Sequence, residues 1–377
     1  MKKIRIGLLT EIINGHSGSR APLEIGKHLA ILGHNVTTYA YDTMRDVETE
    51  KNLQRDRVKI VTFTQNKTPI IGKYISAVFL YKILRKDKPE VLIFAGTLPF
   101  FLAGKLSGIP IIRLFMGIQL DALLENKSPD EKTNIFDTLI NQLGNLVIYL
   151  TELISFKLSS KIVAISKFAA KQGERLFSRK VDCSVYLGAT SLLAKNVIQT
   201  PKKYITVISV SRITPYKGFH FIINALKKIN SDKKIKFTIV GSQPKKNYIK
   251  YLKKIGGEMV RIIIDPTDGK LAKLYQRSDI YACGDKYLYF GLPIMEAAQF
   301  DIPTVSMDLA AAKELIDHGK TGFIAKTPEE FRNYLQILIE NDQFRQKLGQ
   351  NAKLKTLFFS WKRCAKQYEK IIKKTLQ

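Results

Sequence analysis

The run Tyr204-Ile205-Thr206-Val207-Ile208-Ser209-Val210-Ser211-Arg212-Ile213-Thr214-Pro215-Tyr216-Lys217-Gly218-Phe219 reads as a strand, a short polar loop and the opening of a helix. Seven strand-forming residues end at a serine, and helical spacing begins at Phe219 and continues to Ile229. Downstream the pattern recurs. Strands are expected at Ile235–Val240, Val260–Ile264, Ile280–Cys283, Thr304–Ser306 and Phe323–Ala325, with helices at Tyr248–Ile255, Leu271–Arg277 and Pro293–Phe300. From Pro328 the tail reads as Lys-rich helix. Upstream, Ile4–Leu9, Val36–Tyr41, Val58–Phe63, Val91–Phe94, Ile109–Phe115 and Ile162–Ile165 read as strands. Ala21–Leu32, Tyr74–Leu84 and Phe100–Leu106 read as helices between them. Such alternation predicts parallel sheets with helices on both faces. The chain is therefore expected to form two doubly wound α/β domains, residues 1–194 and 203–361, joined near residues 190–202. Their ligands are expected at the carboxyl ends of the strands, in a cleft between the domains.

Composition narrows the function classes. The 377 residues are 45% hydrophobic, too apolar for a mainly disordered chain. Cys183, Cys283 and Cys364 stand far apart with no CxxC, so we expect buried free thiols in a reducing compartment. The net charge of +28 favours anionic partners such as nucleotides, nucleic acid or an anionic membrane surface. No nucleic-acid reading module is present, and that option is disfavoured. The apolar run after Met1 stops at Thr10-Glu11, so no signal peptide is expected. The longest uncharged runs, Val91–Gly104 and Thr138–Thr151, have 14 residues each, short of the roughly 20 of a membrane-spanning helix.

Three loops carry the chemistry. In the first, Arg212 and Lys217 are five apart with Pro215 between them, beside a helix start. Both could face one diphosphate, or both could be solvated surface cations. In the second, Tyr289-Phe290-Gly291-Leu292-Pro293-Ile294-Met295-Glu296, Gly291 permits close approach of a ligand and Pro293 suits a first helical turn. Glu296, expected on that first turn, could accept ribose hydroxyls or simply complement the helix dipole. The third, Gly15-His16-Ser17-Gly18, is a weaker phosphate loop that matches neither a dinucleotide fingerprint nor a Walker loop. It also narrowly misses a nucleophile elbow. No D-x-D occurs and the five histidines are scattered, so no metal site is expected.

Taken together, these loops make the sequence similar to the family 4 glycosyltransferases, retaining enzymes of the GT-B fold. Ser211-Arg212-x4-Lys217-Gly218 resembles the family's donor-diphosphate motif, and Val240-Gly241-Ser242 its strand-end glycine near the base. Phe290-Gly291-Leu292-Pro293-x-x-Glu296-Ala297 resembles the donor-site signature. Leu29-x3-Gly33-His34, Val163-x-x-Ser166, Glu314, Gly319–Gly322 and Phe359-Ser360-Trp361 fit as well. The resemblance implies a GT-B fold whose last helix, residues 362–377, crosses back to the first domain. It implies a nucleotide sugar such as a UDP- or GDP-sugar as donor, no other cofactor, and no metal. Arg212, Lys217 and Glu296 become the catalytic candidates. Gly18, Ser211, Gly241, Gly291, Leu292, Pro293 and Glu296 become donor-binding candidates. The acceptor would be a glycan, protein-linked or lipid-linked hydroxyl.

Two positions depart from the pattern. Leu288 stands where the family has the first Glu of E-x7-E, and Met116 stands where it often has His. A non-catalytic nucleotide- or glycan-binding relative, or an epimerase or phosphorylase on the same fold, is the alternative. Tyr74–Lys88 and Leu143–Lys161 mix apolar and basic residues. They could touch the inner face of a membrane from the cytoplasm, or they could be helices packed on the sheet with basic outer faces.

Overall fold

A computed structural model describes residues 3–15, 17–68, 71–118, 128–131, 135–189, 192, 204–242 and 244–377, with backbone alone for Ser17 and residues 135–138. It divides into two compact units. The first comprises Met1–Ile118, Leu146–Gly188 and Ser360–Gln377, the second Gln119–Asn145 and Ala189–Phe359. The expected linker, residues 190–202, lies outside the described residues apart from Leu192.

The first unit is built on strands β1 (Arg5–Thr10), β2 (Asn35–Tyr41), β3 (Lys59–Phe63), β4 (Val91–Ala95), β5 (Ile111–Phe115), β6 (Lys161–Ala164) and β7 (Cys183–Ser184). Their order is β3-β2-β1-β4-β5-β6-β7, and every pairing is parallel. Helices α1 (Ser17–Ile31), α2 (Val47–Arg55), α3 (Gly72–Asp87), α4 (Leu98–Leu106), α5 (Ile135–Leu158, of which the part from Leu146 belongs to this unit) and α6 (Lys167–Phe177) connect them. The central strands are buried on both faces, which explains why apolar residues dominate them, as in Val91–Ala95.

The second sheet has strands β8 (Tyr204–Val210), β9 (Lys234–Gly241), β10 (Val260–Ile264), β11 (Ile280–Cys283), β12 (Thr304–Met307) and β13 (Gly322–Ala325), in the order β10-β9-β8-β11-β12-β13. Counted from its own first strand, this is the order of the first sheet again. Helices α7 (Phe219–Lys227), α8 (Lys246–Gly256), α9 (Asp268–Gln276), α10 (Leu292–Gln299), α11 (Ala312–Leu315), α12 (Pro328–Glu340) and α13 (Asp342–Thr356) complete the unit. The doubly wound α/β expectation holds for both units. Each sheet reverses direction of winding beside its first strand, so the loops after β1 and after β8 open at the switch points where such folds bind ligands.

The last helix, α14 (Trp361–Thr375), belongs to the first unit, as the resemblance implied. Ser360 caps it by accepting from the Arg363 amide, and it packs on α1. Its Glu369 sits 3.5 Å from the imidazole of His34. The Gly188 Cα lies where any side chain would strike the backbone of Trp361, so the helix is seated against bare main chain.

Sequence patterning missed α2 and α6. Helix α2 buries only Leu53, so it has no apolar stripe to read; its start is set by Asp46, whose carboxylate accepts from the Thr49 amide. Helix α6 opens with the same device at Ser166. Two expectations need correction. Cys183 is half-buried, because its two-residue strand β7 forms the sheet edge, whereas Cys283 and Cys364 are buried as expected. Counting uncharged residues also underestimated α5. Its Leu139–Leu158 stretch carries only Glu152 and Lys157 and is long and apolar enough, by length and composition, to cross a membrane.

Candidate functional site

The carboxyl end of β8 leads into Ser211–Thr214 and a 3-10 turn, Pro215–Lys217, before α7. This geometry brings the two candidate cations together. The guanidinium of Arg212 lies 5.7 Å from the centre of the Tyr216 ring, and the ammonium of Lys217 lies 5.1 Å from it. An aromatic face attracts both, so the ring holds two like charges near one place. Arg212 is half-buried. Lys217 is buried, and its ammonium donates to the carboxylate of Asp285, whose side chain is buried too. The solvated-cation reading of Lys217 is thereby excluded.

Asp285 belongs to the loop between β11 and α10. The two loops meet backbone to backbone at Gly218 and Gly284. A Cβ on Gly218, whose φ is +72°, would stand 2.3 Å from the Gly284 carbonyl oxygen, and one on Gly284 would stand 2.8 Å from that of Gly218. Only paired glycines allow this approach, and it sets Asp285 against Lys217. The other Asp285 oxygen accepts from the Tyr287 amide at 2.9 Å. Gly241 acts similarly at the end of β9. The Ser211 carbonyl oxygen would lie 1.6 Å from a Cβ there. The Ser211 and Ile213 amides donate to Val240 and Ser242 carbonyls, which pins the loop to the neighbouring strand.

Gly291, at φ +104°, precedes α10, with Leu292 and Pro293 at the first helical positions. Glu296 lies one place beyond the first turn, not on it as expected, since the helix begins at Leu292. It is buried, and the Tyr275 hydroxyl donates to its carboxylate at 3.1 Å. Leu288 is buried as well and faces Gly291. Around this group, burial first and Asp285 second push the Cys283 thiol up to about 11. Burial raises the Tyr281 hydroxyl well above its ordinary value, and that hydroxyl donates to the Val210 carbonyl at the end of β8. Both groups stay protonated near neutrality.

In the first unit, Gly18 is helical, not part of an open loop, and His16 lies outside the described residues. A Cβ on Gly18 would stand 3.8 Å from the Met116 side chain, so the β1–α1 turn and the end of β5 adjoin. Glu11, immediately after β1, accepts from the Thr97 amide at 2.7 Å and pairs with Lys73 at 3.2 Å. Sequence reasoning did not single out Glu11, Tyr216, Tyr275 or Tyr281. Their partners lie on other strands or helices, and no local spacing announces them. Asp285, too, is tied to the site only by the fold, which sets its carboxylate against Lys217. Among the described residues no three His, Cys, Asp or Glu side chains group to hold a metal.

Comparison with known proteins adds to this geometry. Residues 193–355 match the family described as glycosyl transferases group 1, so the family resemblance holds over the second unit. A probable sucrose-phosphate synthase of Thermosipho melanesiensis is 28% identical over 179 residues, covering 45% of this chain and 41% of that protein. A D-inositol 3-phosphate glycosyltransferase of Corynebacterium glutamicum is 26% identical over 172 residues, 43% of this chain and 41% of the relative. The aligned regions thus span well under two thirds of these relatives. Among solved structures, Anabaena HepE in complex with UDP and glucose superposes with a TM-score of 0.77 at 17% identity, covering 98% of this chain and all of that one. A Rickettsia africae glycosyltransferase gives 0.74 at 18% identity over the full length of both chains. Both units thus have the GT-B architecture.

Proposed function

We propose that this chain is a retaining glycosyltransferase that moves a sugar, of hexosyl type, from a nucleotide diphosphate to an acceptor hydroxyl. One observation carries the reading: Arg212 and Lys217 share one tyrosine ring at the switch point of the second sheet, next to the loop that opens α10. When the glycosidic bond breaks, negative charge develops on the departing diphosphate. Cations already held in place stabilise that charge without reorganising, and one such donor typically contributes about 3–4 kcal/mol to lowering the barrier. Arg212 and Lys217 would supply what a metal supplies elsewhere, which is why the proposal includes no metal.

In this scheme the bond from the anomeric carbon to the phosphate oxygen breaks, and the acceptor oxygen bonds to the same face of that carbon. The acceptor proton passes to the leaving phosphate oxygen. The donor is a UDP- or GDP-sugar, and the acceptor a glycan, protein-linked or lipid-linked hydroxyl. HepE, a structural likeness, binds UDP and glucose. Free thiols at Cys183, Cys283 and Cys364 fit a cytoplasmic enzyme.

Leu288 supports a second reading. Its buried side chain stands where the resemblance implies a sugar-contacting carboxylate, so a relative that binds nucleotide without turnover is the competing assignment. A panel of UDP- and GDP-sugars, assayed for binding and for hydrolysis, separates the two. Binding with slow hydrolysis of one donor, lost in Arg212→Ala, supports transfer. Binding of nucleotides without turnover of any donor supports the alternative, and no nucleotide binding removes both.

A further inference from the structure

We infer that the first unit rests on an anionic lipid surface through the outward faces of α3 and of α5 from Leu146 onward. A helix packed on a soluble sheet ordinarily turns polar residues outward. Helix α3 does the reverse over its first half: Ile71 is 59% exposed, Tyr74 48%, Val78 54% and Phe79 48%. Ile71, Tyr74 and Val78 follow at intervals of three and four residues and Phe79 adjoins Val78, so the four share one side of the helix. The same face then turns basic, with exposed Lys82, Arg85 and Lys86, none of which sits in an ion pair among the described residues. Leu146, Val147, Leu150 and Ile154 make a second outward apolar row on α5. The expectation of basic outer faces needs correction: α3 turns an apolar half and a basic half outward, whereas the outward face of α5 is apolar, with Lys157 as the one basic residue of Leu139–Leu158.

Two features favour a lipid surface over other occupants. Apolar residues with aromatic rings beside a cluster of unpaired cations match the layered chemistry of a bilayer, acyl chains below and acidic headgroups above. Helix α5, although apolar enough to span, is bound to its own unit along one side. Phe156 packs edge-on against Phe115 at 5.2 Å, Glu152 pairs with buried Arg113, and Arg179 caps the Phe156 and Ser159 carbonyls. A helix tied in this way lies along a membrane instead of crossing it. Helix α3 also begins where Lys73 meets Glu11 at the carboxyl end of β1. Its apolar half would therefore set the strand ends of this unit close to the lipid headgroups.

Purified full-length protein, sedimented with vesicles of phosphatidylcholine alone or mixed with phosphatidylglycerol, tests the inference. We expect binding to the mixed vesicles, weakened by high salt, and little binding to phosphatidylcholine alone. Each cation near an anionic surface is worth about fivefold in partitioning, so Lys82→Gln/Arg85→Gln/Lys86→Gln should weaken binding about 100-fold. Val78→Ser/Phe79→Ser removes apolar groups that are already half-exposed, and should cost about tenfold or more with an unchanged melting temperature. Equal binding to both vesicle types, or no effect of the α3 variants, overturns the proposal. Retention of the protein in native membranes after alkaline carbonate extraction overturns it in favour of a spanning helix. A dimer in sedimentation velocity that Val78→Ser/Phe79→Ser dissolves overturns it in favour of a second copy. Vesicle binding needs no donor, so its failure is distinct from failure of the glycosyl-transfer reading.

Discussion

Lys217 and Asp285 give opposite signs under the two roles open to them. If the pair is purely structural, removing either partner harms the protein alike. If Lys217 serves a diphosphate, Asp285 competes with that ligand, and the two substitutions diverge. Their side chains are 8% and 10% exposed, so the pair counts as buried. Removing one member of a buried pair costs about 3–5 kcal/mol, because the other charge is left uncompensated. For a unit of this size that is a fall of about 6–20 °C in melting temperature. Loss of activity in Lys217→Ala alone would therefore say little about chemistry. The informative set is Lys217→Met, Asp285→Asn and the double variant, which removes both charges and restores much of the lost stability. A hydrogen bond from an ammonium to a phosphate is worth about 1.5–3 kcal/mol, or roughly 10–150-fold in affinity. Titration calorimetry with UDP and GDP, well below each melting temperature, should show that loss in Lys217→Met and in the double variant. Asp285→Asn should bind at least as tightly as the parent. Equal weakening in Asp285→Asn and Lys217→Met, or parental affinity in the double variant, would refute the diphosphate role.

Further expectations concern the same unit. Tyr275→Phe removes the hydroxyl that donates to buried Glu296 and should destabilise the protein by about 1–2 kcal/mol in urea unfolding; no change would mean the bond is not formed. His220 is held below its ordinary value of 6.5, first by burial and then by Lys286, so the native state favours neutral imidazole. The unfolded chain takes up that proton first, and stability should fall as the pH drops through 6.5 toward the folded value. His220→Asn should flatten this part of the acid limb in a series of urea midpoints. Alkylation of native protein at mildly basic pH should modify half-buried Cys183 well before the others. Burial pushes Cys283 up to about 11 and Cys364 up to about 12, and both should react fully only after unfolding.

Sequence alone determined the winding of the fold. Short, mostly apolar stretches such as Val91–Ala95 and Ile280–Cys283, bounded by turn residues, read as buried strands, and the helical segments between them point to a parallel sheet. It also marked Arg212 and Lys217, because short loops at strand ends keep functional residues close in number. Contacts between loops were beyond its reach. Nothing local says that Gly218 lies against Gly284, so the meeting of Lys217 with Asp285 was decided by two strands brought side by side. The Glu296 partner came from α9, a helix whose own pattern shows only an amphipathic face. The same limit applies to α3 and α5. Their apolar residues are plain in the sequence, but which of them face water depends on which side of each helix the sheet occupies. Periodicity records spacing along one element, whereas exposure is a property of everything packed around it.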